Sequence, residues 1–385
     1  MHILQVTPYF PPTWAYGGIP RIVDGLSRAL VAKGHRVTVL TTDAFDGHDR
    51  VNLARDREHH GVRVLTAPNW SNDAAYRHQL FLPRGARALL DANCDDVDVI
   101  HLHGHRHLLN NAASGWAASR SIPYVMTANG TLLRHERKVG AKWLWDKFVS
   151  GSVPVQATKL IAVSAADVAR HRSAGIPAEK IVRIPNGLDL GEFEALPSRG
   201  QFRKSRGLGE GPIVTYLGRV SPRKGVEYLV RAFHGEGLGS AQLVVAGNDM
   251  GAMATVLAEP KGANVHFVGL VKGDDRLALL ADTDVLVYPS ADEVFGLVPF
   301  EGLLCGAPVV VSDDCGCGEL IAEAGAGLLV RYGDVPGLQA RIRTLIEDRV
   351  AAEAMVARGR RYVEEQLGFD GVADRHLTVY DSVIQ

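Results

Sequence analysis

Two glutamates separated by seven residues are the side chains of this sequence best suited to do chemistry. Glu293 follows the run DVLVYPS (284–290), whose β-branched and apolar residues predict a buried strand. Glu301 falls inside a helix predicted from about Gly296 to Cys305. An eight-residue helical offset spans about 12 Å. One carboxylate can therefore hold a sugar and the other a ribose, with a diphosphate between them at the helix N-terminus, where free N–H groups attract anions.

The alternative for both glutamates is that they are solvated surface charges. The surroundings of Glu301 argue against it, because they are apolar and rich in Gly and Pro, and a carboxylate there needs a partner.

Two cations precede the glutamates in the same half of the chain. Arg219 and Lys224 bracket the residues VSPR at the end of another predicted strand, and a helix is predicted to begin at Gly225. Two positive charges and a helix N-terminus at a strand end suit a diphosphate, although a basic surface turn is the alternative. The stretch is not a P-loop, because G-x-x-x-x-G-K-[ST] is absent.

Length and composition limit the class of protein. A chain of 385 residues exceeds one ordinary core, so two domains are expected. Its 42 basic and 43 acidic residues give a net charge of −1, which does not favour nucleic-acid binding. The sequence starts directly with a strand and has no apolar run of about 18 residues, which predicts a cytoplasmic protein. Four unevenly spaced cysteines predict neither a disulfide framework nor a metal site.

Short β-branched runs alternate with helical segments along most of the chain. The runs lie at 2–7, 36–42, 62–68, 97–104, 123–130, 159–165, 180–187, 212–219, 242–248, 265–270, 284–290, 308–313 and 327–334. This alternation predicts the α/β class, with two Rossmann-like doubly wound domains facing a central cleft. A polar linker at 186–211 places the domains at 1–194 and 195–369. No G-x-G-x-x-G follows the first strand, which argues against an NAD-dependent oxidoreductase.

Polar residues at the carboxyl ends of first-domain strands are candidates for ligand binding, since ligands bind beyond those ends. His103 and His105 belong to a run of four alternating histidines at 101–107. Alternation places His101 and His103 on one face without carboxylate partners. A polar lip around an acceptor is therefore favoured over a metal site.

Two further first-domain segments have two interpretations each. Gly17 and Gly18 allow a backbone to approach a phosphate or sugar closely, or they only serve a tight turn. The basic and aromatic segment 134–148, which begins at Arg134, suits an anionic acceptor or a membrane surface, or it is an ordinary packed helix.

Taken together, these motifs resemble the family 4 retaining glycosyltransferases, which have the two-domain GT-B fold. The resemblance covers essentially the whole chain and includes KIVRIPNGLD (180–189) and YLGRVSPRKGVEYLVRAF (216–233). It is strongest in PSADEVFGLVPFEGLLCGAPVV (289–310), which matches the E-x7-E signature of the family with its FG and G-x-P surroundings.

The resemblance implies roles for the residues of that signature. Glu293 would contact the hydroxyls of the donor sugar, together with the backbone amides of Phe295, Gly296 and Leu297. Glu301 would accept hydrogen bonds from the ribose hydroxyls.

Further roles are implied outside the signature. Arg219 and Lys224 would neutralise the departing diphosphate, and Gly18 would line the cleft near the donor phosphate. The family has T-x-H-G where this chain has TANG, so Asn129 replaces a histidine. An amide can bond a sugar hydroxyl but cannot become cationic. The last helix, about 370–385, is expected to pack on the first domain.

The expected reaction is metal-independent, retaining transfer of a hexose from a nucleoside-diphosphate sugar, with UDP or GDP favoured, to a hydroxyl acceptor. The acceptor would be a polysaccharide, a lipid-linked sugar or a metabolite, and the chain would lie in the cytoplasm or peripherally at the inner membrane face. A retaining reaction suggests a carboxylate nucleophile, for which the motif offers only Glu293. The family comparison instead implies attack from the face of the leaving group. The alternatives are an epimerase or phosphorylase of the same architecture and a non-catalytic nucleotide-sugar sensor.

Overall fold

The computed structural model describes residues 1–14, 17–45, 49–132, 145, 149–234 and 237–384. The chain divides into two compact units. The first comprises Met1–Leu188 and Phe369–Gln385, and the second comprises Asp189–Gly368. The division therefore falls a few residues before the predicted position at 194.

The first unit is organised by a sheet whose central strands are apolar over most of their length. Its strands are β1 (His2–Val6), β2 (Arg36–Thr42), β3 (Asp56–His59), β4 (Val62–Ala67), β5 (Val99–His103), β6 (Tyr124–Thr127), β7 (Lys159–Ala162) and β8 (Ile181–Arg183). Their order in the sheet is β3-β4-β2-β1-β5-β6-β7-β8. Every pair is parallel except β3 with β4. Parallel strands covered on both faces read as near-continuous apolar runs, which is why the sequence predicts most of them.

The exception is β3, which the sequence analysis does not predict. Its sequence, DREH, is charged, and its residues are exposed or half-buried. It pairs with β4 alone, antiparallel at the edge of the sheet, so it needs no apolar pattern.

Helices connect the strands of the first unit. They are α1 (Ile19–Ala32), α2 (Asn72–His78), α3 (Ala86–Asn93), α4 (Leu108–Arg120), α5 (Ser152–Gln156) and α6 (Ala165–Ser173), with a 3₁₀ turn at Ala178–Lys180. Helix α1 has Pro20 in its first turn, where the missing N–H has no helical partner to lose. It buries Ile22, Leu26 and Leu30 at helical spacing.

The second unit has a fully parallel sheet. Its strands are β9 (Ile213–Leu217), β10 (Gln242–Ala246), β11 (Val265–Gly269), β12 (Val285–Tyr288), β13 (Val309–Ser312) and β14 (Gly327–Val330). They lie in the order β11-β10-β9-β12-β13-β14. The direction of strand succession reverses between β9 and β12. The carboxyl ends of strands at such a reversal form the usual ligand-binding crevice of an open α/β sheet.

The helices of the second unit correct two predicted boundaries. They are α7 (Gln201–Arg206), α8 (Val226–Ala232), α9 (Met253–Ala258), α10 (Gly273–Asp282), α11 (Val298–Leu304), α12 (Gly316–Ala324), α13 (Val335–Glu347) and α14 (Arg349–Tyr362), with a 3₁₀ turn at Leu190–Phe193 and a π-helical turn at Val363–Leu367. Helix α11 begins at Val298 rather than near Gly296, because Gly296 has a positive φ and Leu297 is the N-cap. The predicted linker is also partly wrong, since α7 lies within it and buries Phe202.

The last helix, α15 (Phe369–Ile384), belongs to the first unit. Lys33, which follows α1, pairs with Asp370 and Asp374 of α15 at 2.7 and 2.8 Å. At the other side of α15 the hydroxyl of Tyr380 lies 2.7 Å from Nδ1 of His101 in β5. The helix therefore contacts both the sheet and α1 of this unit.

Within the ranges that the structure describes, no helix is long and apolar enough to cross a membrane. The same ranges contain no group of three or more His, Cys, Asp and Glu side chains that could hold a metal ion. Each of the four cysteines is buried and unbridged.

Candidate functional site

The loops that follow β9 and β12 are joined to each other. The backbone N–H of Ala291, after β12, donates to the carbonyl of Arg223, after β9, at 2.7 Å. The guanidinium of Arg223 pairs with the carboxylate of Asp292 at 2.6 Å. These contacts bring Lys224 and Glu293 to the same place at the reversal of the sheet.

Two glycines allow the backbones around this place to touch. Gly225 has φ +66°, and a Cβ there would lie 2.2 Å from the carbonyl oxygen of Pro289. A Cβ at Gly316 would lie 1.8 Å from the carbonyl oxygen of Val294. The N–H of Gly316 donates to the carbonyl of Glu293 at 2.7 Å. The position of Glu293 is thus fixed by backbone contacts that tolerate no side chain at either glycine.

A lysine, a glutamate and a tyrosine form the charged centre of the site. Nζ of Lys224 donates to Oε2 of Glu293 and, at 3.0 Å, to the hydroxyl of Tyr288. The same hydroxyl lies 3.0 Å from Oε2 of Glu293. Burial raises the pKa of Glu293, but the charge of Lys224 and the hydrogen bonds from Lys224 and Tyr288 outweigh it, and the pKa lies below its ordinary value. The carboxylate is therefore ionised and paired with an ammonium.

Arg219 adds a second cation beside this pair. Its side chain is exposed, and its charge also lowers the pKa of Glu293. Its carbonyl accepts a 2.8 Å hydrogen bond from the hydroxyl of Tyr216, which is fully buried in β9. The turn is therefore anchored to the sheet while its guanidinium stays accessible.

The three residues after Val294 present backbone N–H groups. In the described part of the chain, the amides of Phe295, Gly296 and Leu297 donate no hydrogen bond. Phe295 is 4% exposed and its ring centroid lies 5.5 Å from that of Phe300 in α11. Packing thus fixes a turn whose amides are left for another partner.

Glu301 lies in α11 and is only 2% exposed. The sequence argument requires a partner for this carboxylate, and the structure identifies it as Arg276 of α10. One guanidinium nitrogen lies 2.7 Å from Oε2 of Glu301, and another lies 2.8 Å from Oε2 of Glu192. Arg276 therefore bridges two acidic residues.

Sequence reasoning missed Tyr288 and Arg276. A tyrosine that ends a buried strand must find a partner for its hydroxyl, which was a usable signal for Tyr288. The requirement for a cation near Glu301 was a usable signal for Arg276, but many arginines could have met it.

Asn129 and Gly18 lie in the first unit. Asn129 follows β6 with φ +49°, and its Nδ2 lies 3.5 Å from the carbonyl oxygen of Thr127. Its Oδ1 is buried and has no hydrogen-bond partner among the described residues. Gly18 is exposed and caps α1, where its carbonyl accepts from the N–H of Ile22. Both residues therefore lie in loops at the carboxyl ends of strands.

The structure does not support the acceptor-side role predicted for His103 and His105. They are 2% and 4% exposed, so neither forms a lip. Nε2 of His103 lies 2.6 Å from Oε1 of Gln5, and burial lowers the pKa of His103 to about 3. The rings of His101 and His103 do share a face, with centroids 4.0 Å apart. The third predicted acceptor residue, Arg134, lies outside the described residues, as does most of 134–148.

Arg106 ties the loop after β5 to the loop after β6. Its guanidinium donates to the carbonyls of Thr131 and, at 2.9 Å, of Leu132. The N–H of His105 donates to the hydroxyl of Thr131 at 2.7 Å. These contacts restrain the turn that carries Asn129, and the sequence analysis did not identify Arg106.

Comparison with known proteins identifies the family. The family model described as Glycosyltransferase Family 4 matches residues 16–192, and the model described as Glycosyl transferases group 1 matches residues 198–362. An uncharacterized glycosyltransferase of Methanocaldococcus jannaschii is 28% identical, over 99% of this chain and 98% of the relative.

Solved structures agree with this family in fold. Sucrose-phosphate synthase from Thermosynechococcus elongatus has a TM-score of 0.78 and 23% identity, covering 99% of this chain and 98% of that chain. Anabaena HepE, solved in complex with UDP and glucose, has a TM-score of 0.75 and 21% identity, covering 99% of this chain and 100% of that chain. The chain belongs to the family 4 glycosyltransferases and has their two-domain GT-B fold.

Proposed function

We propose that this glycosyltransferase moves a hexose from a nucleoside-diphosphate sugar to a hydroxyl acceptor with retention of anomeric configuration and without a metal ion. The observation that carries the proposal is the cluster of Lys224, Tyr288 and Glu293, with Arg219 beside it, at the reversal of the second sheet. This arrangement combines an ionised carboxylate with two cations at the location where open α/β sheets bind ligands.

The cations suit the leaving group of this reaction. Cleavage of the anomeric C–O bond leaves negative charge on the departing diphosphate and develops positive charge on the sugar. Lys224 and Arg219 would stabilise the diphosphate by charge-assisted hydrogen bonds, which act without reorganisation when they are held in advance. Lys224 is held by Tyr288 and Glu293, and the turn of Arg219 is held by Tyr216.

Glu293 would position the donor sugar. A carboxylate only accepts hydrogen bonds, so it suits sugar hydroxyls, and the amides of Phe295, Gly296 and Leu297 would supply donors beside it. Glu301 would accept from the ribose hydroxyls. Asn129 would add an amide from the first unit, whose buried Oδ1 has no hydrogen-bond partner in the described part of the chain.

The acceptor hydroxyl would attack the sugar from the face that the diphosphate leaves. Its proton would pass to the departing phosphate oxygen, the new glycosidic bond would form on the same face, and the products would be a glycoside and a nucleoside diphosphate. This route needs no covalent intermediate on Glu293, which keeps a positioning role. Closure around the substrates would exclude water, which competes as an acceptor.

The nucleotide is proposed to be UDP, with GDP as the alternative. The support for UDP is the Anabaena structural neighbour, whose structure was solved with UDP and glucose. The acceptor class remains a polysaccharide, a lipid-linked sugar or a metabolite.

Thermal unfolding in the presence of UDP, GDP, ADP, dTDP and their sugar conjugates tests the donor. A ligand at 100 times its dissociation constant adds about 2.7 kcal/mol to the free energy of unfolding, which raises the melting temperature by a few degrees. One nucleotide that stands out identifies the base. If no nucleotide raises the melting temperature, the proposed donor site is contradicted. That result would favour neither a transferase nor a nucleotide-sugar sensor.

The Glu293→Gln variant tests the site. We expect donor turnover to fall by at least about 100-fold while nucleotide affinity changes by about twofold or less, because the variant loses a contact to the sugar and keeps the nucleotide contacts. Glu259→Gln, which changes an exposed ion pair with Arg231, is the matched control. Equal losses of turnover and nucleotide affinity would contradict the role of Glu293. Complete loss of turnover in a chelator would contradict the metal-independent mechanism.

A further inference from the structure

Tyr288 lies between the two charged groups of the candidate site. It is the last residue of β12 and is 5% exposed. Its hydroxyl lies 3.0 Å from Nζ of Lys224 and 3.0 Å from Oε2 of Glu293. The ammonium of Lys224 also lies 5.0 Å from the centroid of the tyrosine ring. One side chain thus contacts both the cation and the carboxylate.

The chemistry of the three groups fixes the direction of each hydrogen bond. An ammonium can only donate and an ionised carboxylate can only accept, so the hydroxyl accepts from Lys224 and donates to Glu293. Burial and the charge of Glu293 raise the pKa of Tyr288 well above its usual range, so the phenol keeps its proton. The Tyr288 hydroxyl therefore uses its one proton in the hydrogen bond to Glu293.

The two donors to Glu293 respond differently to an arriving diphosphate. Lys224 carries a full charge and three N–H donors, so part of its interaction passes to the phosphate oxygens. Tyr288 is neutral and has one donor, which stays on Oε2 of Glu293. Across the described residues, both side-chain hydrogen bonds to Glu293 end on Oε2, which leaves Oε1 for a ligand.

We propose that Tyr288 is a positioning residue that holds Glu293 against the donor sugar while Lys224 neutralises the diphosphate. The inference rests on the proposed function, because it assigns the sugar to Glu293 and the diphosphate to Lys224. It adds Tyr288 as the residue that keeps the Glu293 carboxylate oriented towards the sugar. Glu293 therefore stays in place when Lys224 is drawn towards the departing diphosphate.

Tyr288→Phe tests this role because it removes one oxygen and keeps the ring. The ring packs against Gly296, where a Cβ would lie 3.0 Å from Cε1 of Tyr288, and it keeps its contact with Lys224. If Tyr288 acts only through the packing of its ring, the phenylalanine variant therefore keeps that role. Tyr124→Phe is the matched control, since it deletes another buried tyrosine hydroxyl, which donates to the carbonyl of Val153 at 2.7 Å in the first unit.

We expect Tyr288→Phe to lower kcat by about 10- to 150-fold, which is the contribution of one hydrogen bond to a charged group. The KM for the donor and the Kd for the nucleoside diphosphate should change by about twofold or less, because Lys224 and Arg219 remain. The acid limb of the pH profile of kcat should move to higher pH, since the ionised form of Glu293 loses a donor. Tyr124→Phe should leave kcat and the acid limb unchanged.

An unchanged kcat and acid limb in Tyr288→Phe would overturn the proposal. A lower melting temperature with equal losses in kcat and nucleotide affinity, and no shift of the acid limb, would assign a packing role and also overturn it. Titration of Glu293 by ¹³C NMR, in wild type and Tyr288→Phe, gives a readout without turnover. A higher pKa in the variant supports the positioning contact even if no nucleotide binds and the proposed function fails, whereas an unchanged pKa refutes it.

Discussion

One guanidinium nitrogen of Arg276 lies 2.7 Å from Oε2 of Glu301, although the two residues are on different helices, α10 and α11. The carboxylate is only 2% exposed, so its charge must be paired, and Arg276 supplies a cation for it. The other guanidinium nitrogen contacts Glu192, which holds the arginine in place. Under the proposed function, Arg276 therefore sets the orientation of the carboxylate that bonds the ribose.

Arg276→Gln should lower the free energy of unfolding by about 3–5 kcal/mol, because it removes the cation that is paired with a buried carboxylate. Nucleotide affinity should fall as well. Urea unfolding and calorimetric titration with UDP and GDP measure the two effects. Arg231→Gln is the control, since Arg231 pairs with Glu259 at the surface and should cost less than about 1 kcal/mol. Equal decreases in the free energy of unfolding for Arg276→Gln and Arg231→Gln would contradict the role of the buried ion pair.

Lys224→Ala and Arg219→Ala should each weaken binding of the nucleoside diphosphate by about 10- to 150-fold, because each removes a charge-assisted contact. Binding of the free nucleoside should change little, since it carries no diphosphate. Calorimetry with UDP and uridine, or with GDP and guanosine, compares the two. Arg231→Ala is the control, since Arg231 pairs with Glu259 outside the candidate site. Dissociation constants that stay unchanged in both test variants would exclude the diphosphate site.

Asn129→Gly and Asn129→Asp should both lower the transfer rate, by about tenfold or more, without changing nucleotide affinity. The glycine variant removes the amide but accommodates the positive φ of this position, so the melting temperature should be preserved. The aspartate variant keeps the shape and loses the N–H donors. Initial rates with a saturating donor measure the effect. If neither variant is slower than wild type, Asn129 does not contact the reacting groups.

Acid should destabilise the first unit through its buried histidines. Burial lowers the pKa of His107 from 6.5 to about 3. Between these values the unfolded chain holds a proton that the native chain lacks, so the free energy of unfolding falls as pH falls through this window, by about 1.4 kcal/mol per pH unit for this residue.

His107→Phe should remove that contribution. The ring packs against Tyr9 and Phe81, and neither of its nitrogens has a hydrogen-bond partner among the described residues, so an apolar ring is compatible with the site. Urea unfolding at pH 4.5, 5.5 and 6.5 measures the slope. The exposed His234, replaced by Gln, is the control and should leave the slope unchanged. An equal slope in wild type and His107→Phe would refute the assignment.

The sequence predicts the interior strands because their two covered faces demand apolar residues, as in the runs ending at Leu217 and Tyr288. It does not predict β3, whose charged residues lie at an edge. It also extends α11 too far, because it does not reveal the positive φ of Gly296 or the nearness of Tyr288 and Cys317, from which a Cβ at Gly296 would lie only 3.0 Å.

The residues of the candidate site were likewise predictable only in part. Arg219, Lys224, Glu293 and Glu301 could be named from residue type and spacing. For Tyr288 the sequence indicated only that a hydroxyl needs a partner, and for Arg276 only that Glu301 needs a cation. The partners themselves are brought together by strand order and helix packing. The burial of His103 was unpredictable for a related reason, since His376 of α15, far along the chain, lies against the ring of His101 on the same face.

Gly225 and Gly316 carry no chemistry, yet a methyl group at either would collide with the backbone of a neighbouring loop. For anyone who wishes to retune donor preference by directed evolution, this divides the site into two kinds of position. Libraries that randomise the two glycines will be filled with misassembled variants. Diversity at exposed or half-buried side chains such as Leu297 leaves the loop contacts intact and can be screened for a new sugar.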